Sequence, residues 1–221
     1  MRIAIAGGHG QIARLLSREL TARGDVPVAL VRQLGHVDDV TADGAEAVVL
    51  DLERTNAVDV AEAISGADAV VFAAGAGPGS GLARKDTVDR AAVALLADGA
   101  ERAGVRRFVL VSSMGAGAPP PAGTDEVFAA YLVAKRAAEV DLRARDLDWT
   151  ILRPGALTND APTGAVRLET SVPRGSVPRA DVAAVLVALL HETRSAGLTL
   201  ELVEGAVPVD AAVASVSGAA D

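Results

Sequence analysis

Short apolar runs alternate with helical patterns along almost the whole of this 221-residue chain. The runs are continuous Val, Ile and Leu stretches, which are typical of strands buried on both faces of a parallel sheet. We predict strands at residues 2–6, 26–31, 47–50, 69–72, 107–111, 149–152 and 198–203. We predict helices at residues 11–23, 58–64, 87–103, 127–145 and 179–191. The alternation indicates an α/β fold built on a single doubly wound parallel sheet.

Three long stretches rich in Gly or Pro follow predicted strands, at residues 74–82, 115–123 and 155–178. Ligands bind beyond the carboxyl ends of the strands in such sheets, so we expect the site to lie among these stretches. We predict one domain over residues 1–221, with a small C-terminal extension. Residues 155–178 are interpreted as a small loop region on the substrate side. The Ala- and Ser-rich tail after Val207 is expected to be partly loose.

Composition argues against several classes of site and partner. The chain has no cysteine, so disulfides and thiolate chemistry are absent, and its three scattered histidines do not suggest a metal site. The net charge of -8 disfavours nucleic acid and anionic membranes as partners. The longest apolar run, residues 182–190, is too short to span a bilayer. With no signal peptide recognised, we expect a cytoplasmic protein that acts on a small molecule as a monomer or homodimer.

The first predicted strand leads into a glycine-rich turn and then into a helix. Gly7 permits a tight turn, and Gly10 lets a pyrophosphate approach the backbone at the helix N-terminus. A plain strand–helix turn could also contain glycines, but this position at the first strand of an α/β chain favours dinucleotide binding. The residues of this turn that we predict to bind a cofactor are Gly7, Gly8, His9, Gly10, Gln11 and Ile12.

Residues after the later strands extend the predicted cofactor site. An acidic residue at the end of the second strand would hold the ribose 2′-hydroxyl of NAD, whereas Arg32 in this chain can pair with the 2′-phosphate of NADP. Arg32 therefore predicts NADP(H) in preference to NAD(H); the alternative is a solvated arginine after a strand. The contacts expected after the third and fourth strands are Asp51, Leu52, Ala73, Ala74 and Gly75.

Tyr131 is the only tyrosine of the chain, and Lys135 is one of only two lysines. The spacing of four residues puts both side chains on one face of a predicted helix. An ammonium group beside a phenol lowers the phenol's pKa from its usual ~10, so the phenol can exchange a proton near neutral pH. The pair thus suggests acid–base catalysis, with a solvated helix face as the alternative.

These segments together resemble the short-chain dehydrogenase/reductase superfamily. More narrowly, they are similar to its atypical NAD(P)H-binding branch, whose members are often labelled epimerases or dehydratases. The resemblance covers essentially the whole chain and implies a Rossmann fold. The segments that carry it are the glycine turn, Arg32, Asp51-Leu52, Ala73-Ala74-Gly75, the run from Arg84 to Asp89, Val111-Ser112-Ser113, the run from Tyr131 to Ala138, Arg153-Pro154-Gly155 and the run from Pro178 to Ala183.

The resemblance also implies catalytic roles for individual residues. Tyr131 would be the general acid/base, and Lys135 would hold the nicotinamide ribose and tune Tyr131. Ser113, with Ser112 as its neighbour, would hydrogen-bond the substrate oxygen. In the extended epimerases the catalytic hydroxyl often lies one position further on, where this chain has Met114.

The remaining site residues are also implied by the resemblance alone. Asp89 stands where the larger relatives usually have an asparagine, a substitution that the atypical branch shares. Pro154 and Gly155 would lie beside the nicotinamide.

These features favour an NADP(H)-dependent oxidoreductase that transfers hydride to a small carbonyl, quinone or flavin-like acceptor. A non-catalytic NADPH-sensing regulator is the alternative, because cofactor binding needs neither Tyr131 nor Ser113. A sugar-nucleotide epimerase or dehydratase is the third hypothesis. It fits less well because the chain is about a hundred residues shorter than a typical extended member.

Overall fold

The computed structural model describes residues 1–75 and 86–218. The strands in these residues are β1 (Arg2–Ala6), β2 (Val26–Val31), β3 (Glu46–Val49), β4 (Ala69–Phe72), β5 (Arg107–Val111), β6 (Asp148–Pro154), β7 (Ala156–Thr158), β8 (Ala165–Glu169), β9 (Ser176–Pro178), β10 (Thr199–Glu204) and β11 (Val207–Pro208). The α-helices are α1 (Gln11–Ala22), α2 (Val37–Ala42), α3 (Ala57–Ala63), α4 (Ala92–Ala103), α5 (Glu126–Arg143), α6 (Arg179–His191) and α7 (Val209–Gly218). A π-helical turn at Thr87–Ala91 precedes α4, and 3-10 turns lie at Leu34–His36 and Thr193–Ser195.

The central sheet has the strand order β11-β8-β10-β6-β5-β4-β1-β2-β3 within the described ranges. Neighbouring strands from β10 to β3 are parallel, and β8 runs antiparallel to β10 and β11. The order reverses between β1 and β4, which is the point where such sheets bind ligands. The predicted doubly wound Rossmann-like fold is confirmed, and β8, β10, β11 and α7 form its C-terminal extension.

Helices cover both faces of the sheet because the central strands are apolar on both faces. Ile3 and Ile5 of β1 belong to a core with α1, α6 and α7, whereas Ala4 and Ala6 belong to a core with α3, α4 and α5. Successive side chains of a strand point to opposite faces of the sheet, and in β1 both faces are buried. The four central strands β1, β2, β4 and β5 are almost wholly buried. The carboxyl ends of these strands are therefore held in a rigid row.

The edge strand β3 differs from its prediction. It begins at Glu46, one residue before the predicted start, and its side chains are partly or fully exposed. The expectation that every early strand is buried on both faces is therefore wrong for β3, because a strand at the edge of the sheet has a neighbour on one side only. The short helix α2, which connects β2 to β3, is absent from the predicted helices.

The region predicted as irregular, residues 155–178, contains three strands. β7 and β9 pair with each other in a small parallel sheet, and β8 joins the main sheet through β10. The expectation of a loose tail is also wrong as far as residue 218, where α7 ends. Val209, Ala212 and Val213 of α7 are buried, because their spacing puts three apolar side chains on one helix face. Within residues 1–75 and 86–218, no helix has the length and apolar character needed to cross a bilayer.

Asp43, which directly follows α2, connects that helix to α1. Its side chain is 3% exposed and accepts hydrogen bonds from Nε of Arg14 and Nε of Arg18, both on α1. Burial by itself raises the pKa of Asp43, but the two guanidinium groups outweigh burial and the net pKa lies below the ordinary value of 3.8. The two ion pairs fix α2 against the helix that follows the glycine turn.

We expect Asp43→Asn to lower the free energy of unfolding by about 1–2 kcal/mol near neutral pH, a modest amount because both arginines are partly exposed. The folded-state pKa of Asp43 is lower than its unfolded value, so its contribution is present above pH 3.8 and is lost as the pH falls below it. Urea denaturation of both proteins between about pH 7 and pH 3 measures the difference. A difference that stays constant down to the acid end would contradict this account.

Candidate functional site

The backbone turn after β1 lies directly against the backbone after β4. Gly7 has φ of +78°, and a Cβ built on it would be 2.6 Å from the Cα of Ala74. Gly8 is equally close to β2, since its Cβ would be 2.6 Å from the Cβ of Ala29. Both positions therefore require glycine, for the positive φ at Gly7 and for the close backbone approach at both.

The N-terminus of α1 opens beside this turn. Gly10 is its N-cap and makes no side-chain cap, and the first turn of the helix contains no acidic residue. The first amides of a helix have no acceptor within the helix, so those of Gln11 and Ile12 can bind an anion such as a pyrophosphate. A Cβ on Gly10 would be 3.1 Å from the carbonyl oxygen of Gly7, so a larger residue would crowd this cradle. The Ile12 side chain itself is buried in the core.

A cavity of about 320 Å³ lies next to the glycine turn at the carboxyl edge of the sheet. This volume is at the lower end of the range for small-molecule sites. Nine residues predicted from the sequence to bind cofactor line it: Gly7, His9, Gly10, Arg32, Asp51, Leu52, Ala73, Ala74 and Gly75. The other lining residues are Leu30, Val31, His36, Leu50, Glu53, Val88 and Ala92. Residues 76–85, which include the rest of the predicted 74–82 loop as well as Arg84 and Lys85, lie outside the described residues.

Basic and aromatic groups form the part of the cavity wall that follows β2. Arg32 is exposed, and it has no hydrogen bond or ion pair with any residue in the described ranges. The rings of His9 and His36 stack with their centroids 3.8 Å apart and their planes 4° from parallel. Nε2 of His9 lies 2.8 Å from Oδ2 of Asp39. An unpaired guanidinium beside two imidazoles suits a phosphate group.

The loop after β3 is tied to the π-helical turn. Oδ1 of Asp51 accepts a hydrogen bond from the amide of Glu53 at 3.0 Å, which stabilises the turn after β3. The Thr87 hydroxyl donates to Glu53 at 2.8 Å, and Val88 next to it forms part of the cavity wall. Leu52 packs against the core on the same side. These contacts hold the π-helical turn at the edge of the cavity.

A buried ion pair lies beside the cavity. Nζ of Lys135 is 3.4 Å from Oδ1 of Asp89 and donates a hydrogen bond to the Val111 carbonyl oxygen at 3.1 Å. The two side chains are 3% and 0% exposed, so the pair is almost dry. The centroid of the Tyr131 ring is 5.8 Å from Nζ. A Cβ on Gly75 would be 3.4 Å from Oδ1 of Asp89, so this cluster adjoins the cavity.

The two serines after β5 have different surroundings. The Ser112 hydroxyl is buried and donates to Oε1 of Glu139 at 2.6 Å. Arg153 donates to the same carboxylate, which is fully buried. The Ser113 hydroxyl is partly exposed, and among the described residues its hydrogen bond is a long one, 3.3 Å to the Met114 carbonyl oxygen. Of the two, Ser113 has the hydroxyl that can turn to a substrate.

The end of β6 is held by backbone contacts on both sides. The Pro154 carbonyl oxygen accepts a hydrogen bond from the Met114 amide at 2.9 Å. A Cβ on Gly155 would be 2.3 Å from the carbonyl oxygen of Gly175, so only glycine fits there without a backbone shift. Pro154 therefore fixes the position of the loop after β5, which carries Ser113, and Gly155 allows the close approach of Gly175.

Sequence reasoning missed two features of this site. His36 follows a strand end by several residues in a short element without helix signals, so no local pattern marked it. Glu139 was detectable, because it continues the i, i+4 row from Tyr131 through Lys135 along α5. Its role depends on Arg153 and Ser112 from two different strand ends, and that contact is not encoded locally. In the described residues, no group of three or more His, Asp or Glu side chains could hold a metal ion.

A family model described as NAD(P)H-binding matches residues 7–193. The chain belongs to this NAD(P)H-binding family. It is 34% identical over 210 residues to YhfK of Bacillus subtilis, which is described as an uncharacterized sugar epimerase. The matched region covers 95% of this chain and 97% of YhfK. These matches agree with the glycine turn and the cavity beside it.

Solved structures that are similar to this chain indicate its superfamily. A Bacillus halodurans protein described as a candidate NAD-dependent epimerase/dehydratase is 36% identical, with a TM-score of 0.90 over 97% of this chain and 99% of that one. ChuY from Escherichia coli O157:H7, described as an anaerobillin reductase, is 25% identical, with a TM-score of 0.78 over 92% of this chain and 97% of that one. The resemblance to the atypical NAD(P)-binding branch of the short-chain dehydrogenase/reductase superfamily is confirmed.

Ser112→Ala removes a hydroxyl that donates to a buried carboxylate, and we expect it to lower the free energy of unfolding by about 1–2 kcal/mol. Ser113→Ala is the matched control, and we expect it to change that free energy by less than about 0.5 kcal/mol. Urea denaturation of the two variants measures both values. Equal destabilisation by the two substitutions would contradict the different environments described for the two hydroxyls.

Proposed function

We propose that this protein is an NADP(H)-dependent oxidoreductase that transfers hydride to a small carbonyl, quinone or flavin-like acceptor. The observation that carries the proposal is the adjacency of two sites at one sheet edge. The cavity at the glycine turn suits the adenosine half of a dinucleotide, and the cluster of Tyr131, Lys135 and Asp89 adjoins it through Gly75. A dinucleotide that lies across the switch point would reach from one to the other.

The preference for NADP(H) rests on Arg32. This residue lines the cavity without a carboxylate partner in the described residues, so its charge is available to the 2′-phosphate. Asp51 lines the same cavity but is engaged in its own turn. Gly7, Gly10 and the first amides of α1 would hold the pyrophosphate.

The chemistry assigned to the chain is proton transfer and orientation. The nicotinamide supplies or accepts the hydride. Tyr131 donates a proton to the acceptor oxygen, and Ser113 holds that oxygen by a hydrogen bond. Lys135 keeps a positive charge beside the Tyr131 ring, while Asp89 and the Val111 carbonyl oxygen fix its position. Ser112 acts indirectly in this arrangement, through its bond to Glu139.

We infer a small acceptor because little of the chain is left to build a substrate pocket near Ser113. The described loops that can form its pocket follow β5 and β6, and the stretch after β6 is occupied largely by β7, β8 and β9. The description of ChuY as an anaerobillin reductase adds anaerobillin to the acceptors to be tested. A cytoplasmic location, and a monomer or homodimer, remain predictions.

NADPH oxidation measured against quinones, flavins, small aldehydes and anaerobillin tests the proposed reaction. We expect turnover with one of these classes, and we expect Tyr131→Phe to reduce it by about a hundredfold or more because the proton donor is lost. The affinity for NADPH, measured by calorimetry, should stay within about threefold, since the change removes one hydroxyl outside the nucleotide cavity. Full turnover in the variant would refute the role of Tyr131.

Arg32→Gln tests the cofactor preference separately. We expect the dissociation constant of NADPH to rise about ten- to a hundredfold, the value of a charged hydrogen-bonded contact, and that of NADH to change by less than about threefold. Titration of both nucleotides by intrinsic or nucleotide fluorescence measures the ratio. Wild-type protein that binds NADH as tightly as NADPH would contradict the preference.

A second candidate function is a regulator that binds NADPH without turnover. The observation that favours it is the burial of Lys135, whose side chain is 3% exposed and already paired with Asp89. Such a lysine can serve the packing of α5 alone. Tight NADPH binding without turnover for any acceptor class would favour this candidate over the oxidoreductase.

A further inference from the structure

Two of the chain's three histidines stack in the wall of the cofactor cavity. The rings of His9 and His36 lie 3.8 Å apart between centroids and 4° from parallel, and both line the cavity together with Arg32. His9 comes from the glycine turn, whereas His36 closes the 3-10 turn after β2. Three groups that can carry positive charge therefore converge on one part of a small cavity, from the glycine turn, the end of β2 and the 3-10 turn.

His36 is the histidine of this pair whose ring makes no hydrogen bond to another of the described residues. Nε2 of His9 is already engaged with Asp39. Burial lowers the pKa of His36, and the neighbouring His9 and Arg32 lower it further, against the opposing effect of Asp39. The charged or titratable groups around His36 are His9 in the glycine turn, Arg14 on α1, Arg32 at the end of β2, Asp39 on α2, and Asp51 and Glu53 after β3.

We propose that His36 is a specificity-determining residue that takes up a proton when a 2′-phosphate binds beside Arg32. The inference rests on the proposed NADP(H) dependence and extends it to a residue that no cofactor motif marks. In the protein alone, His36 is neutral near pH 7. In the complex it becomes an imidazolium that holds the phosphate together with the solvent-exposed guanidinium of Arg32.

Electrostatics gives the sign of the effect. A phosphate dianion within hydrogen-bond reach favours the charged form of an imidazole and so raises its pKa. A group whose pKa is higher in the complex than in the free protein binds a proton on association. The affinity for NADPH should then fall as the pH rises between those two pKa values, by up to about tenfold per pH unit. NADH lacks the phosphate and should show no such dependence.

A different role for the same ring would leave a different signature. If His36 served only as a surface on which the adenine stacks, its loss would weaken NADH and NADPH equally. If it served only to pack against His9, its loss would not change the affinity for one nucleotide more than for the other. The difference between the two nucleotides, and the pH dependence of that difference, therefore isolates contact with the phosphate.

Isothermal titration calorimetry with NADPH, NADH and 2′,5′-ADP tests the inference without any need for turnover. Wild type, His36→Gln and the control His191→Gln are titrated between about pH 6 and pH 8, each in two buffers of different ionisation enthalpy. His191 is a suitable control because it contacts Asp25 rather than the cavity. The free 2′-phosphate also titrates, with a pKa of about 6, so proton uptake is compared at pH 7 and above, where the free phosphate is already mostly a dianion.

We expect wild type and His191→Gln to take up more protons than His36→Gln on binding NADPH or 2′,5′-ADP. We expect His36→Gln to weaken NADPH binding by about tenfold near pH 6, which is the contribution of one charged hydrogen bond. We expect it to weaken NADH binding by less than about twofold. Equal proton uptake in wild type and His36→Gln would overturn the inference, and so would an equal loss of affinity for NADPH and NADH in the variant. Either result would leave the NADP(H) proposal intact. Wild-type protein that binds neither NADPH nor 2′,5′-ADP would instead refute the proposed function itself.

Discussion

The cofactor cavity depends on the close approach of the backbone after β1 to the backbone after β4. Gly7 reaches the positive φ that this approach needs, and Ala74 leaves no space for a side chain opposite it. The contact lies where the strand order reverses, so it forms the floor of a crevice between two halves of the sheet whose strands are parallel but whose connections run in opposite directions. The helix N-terminus, Arg32 and the stacked histidines are all positioned relative to this floor.

The π-helical turn at Thr87–Ala91 joins the cavity to the cluster on α5. Val88 forms cavity wall, and its neighbour Asp89 pairs with Lys135 in an almost dry environment. A π-helical turn shifts side chains out of the usual helical register and is frequent at functional sites. Here it sends adjacent residues to two different sites. The row of side chains on α5 then continues to Glu139, whose carboxylate accepts hydrogen bonds from Ser112 and Arg153. The ends of β5 and β6 are therefore both bonded to the same helix.

Much of the fold and of the nucleotide half of the site could be predicted from the sequence, because local patterns encode them. The apolar runs marked the central strands, and the glycine turn marked the N-terminus of α1. The missed elements lack such signals: α2 has only six residues, of which three are polar, and β8 alternates between buried and exposed residues inside a stretch interpreted as loop. His36 and Glu139 were missed because their partners come from distant parts of the chain. Such contacts follow from the tertiary fold alone.

Amide hydrogen exchange with and without NADPH tests the central claim most directly, namely that the dinucleotide binds across the carboxyl edge of the sheet at the glycine turn. The account predicts slower exchange at residues 7–13 and 32–36 in the presence of NADPH, with α7 unchanged as an internal reference. Protection confined to other surfaces, or none at saturating NADPH, would contradict the assignment of this cavity as the cofactor site.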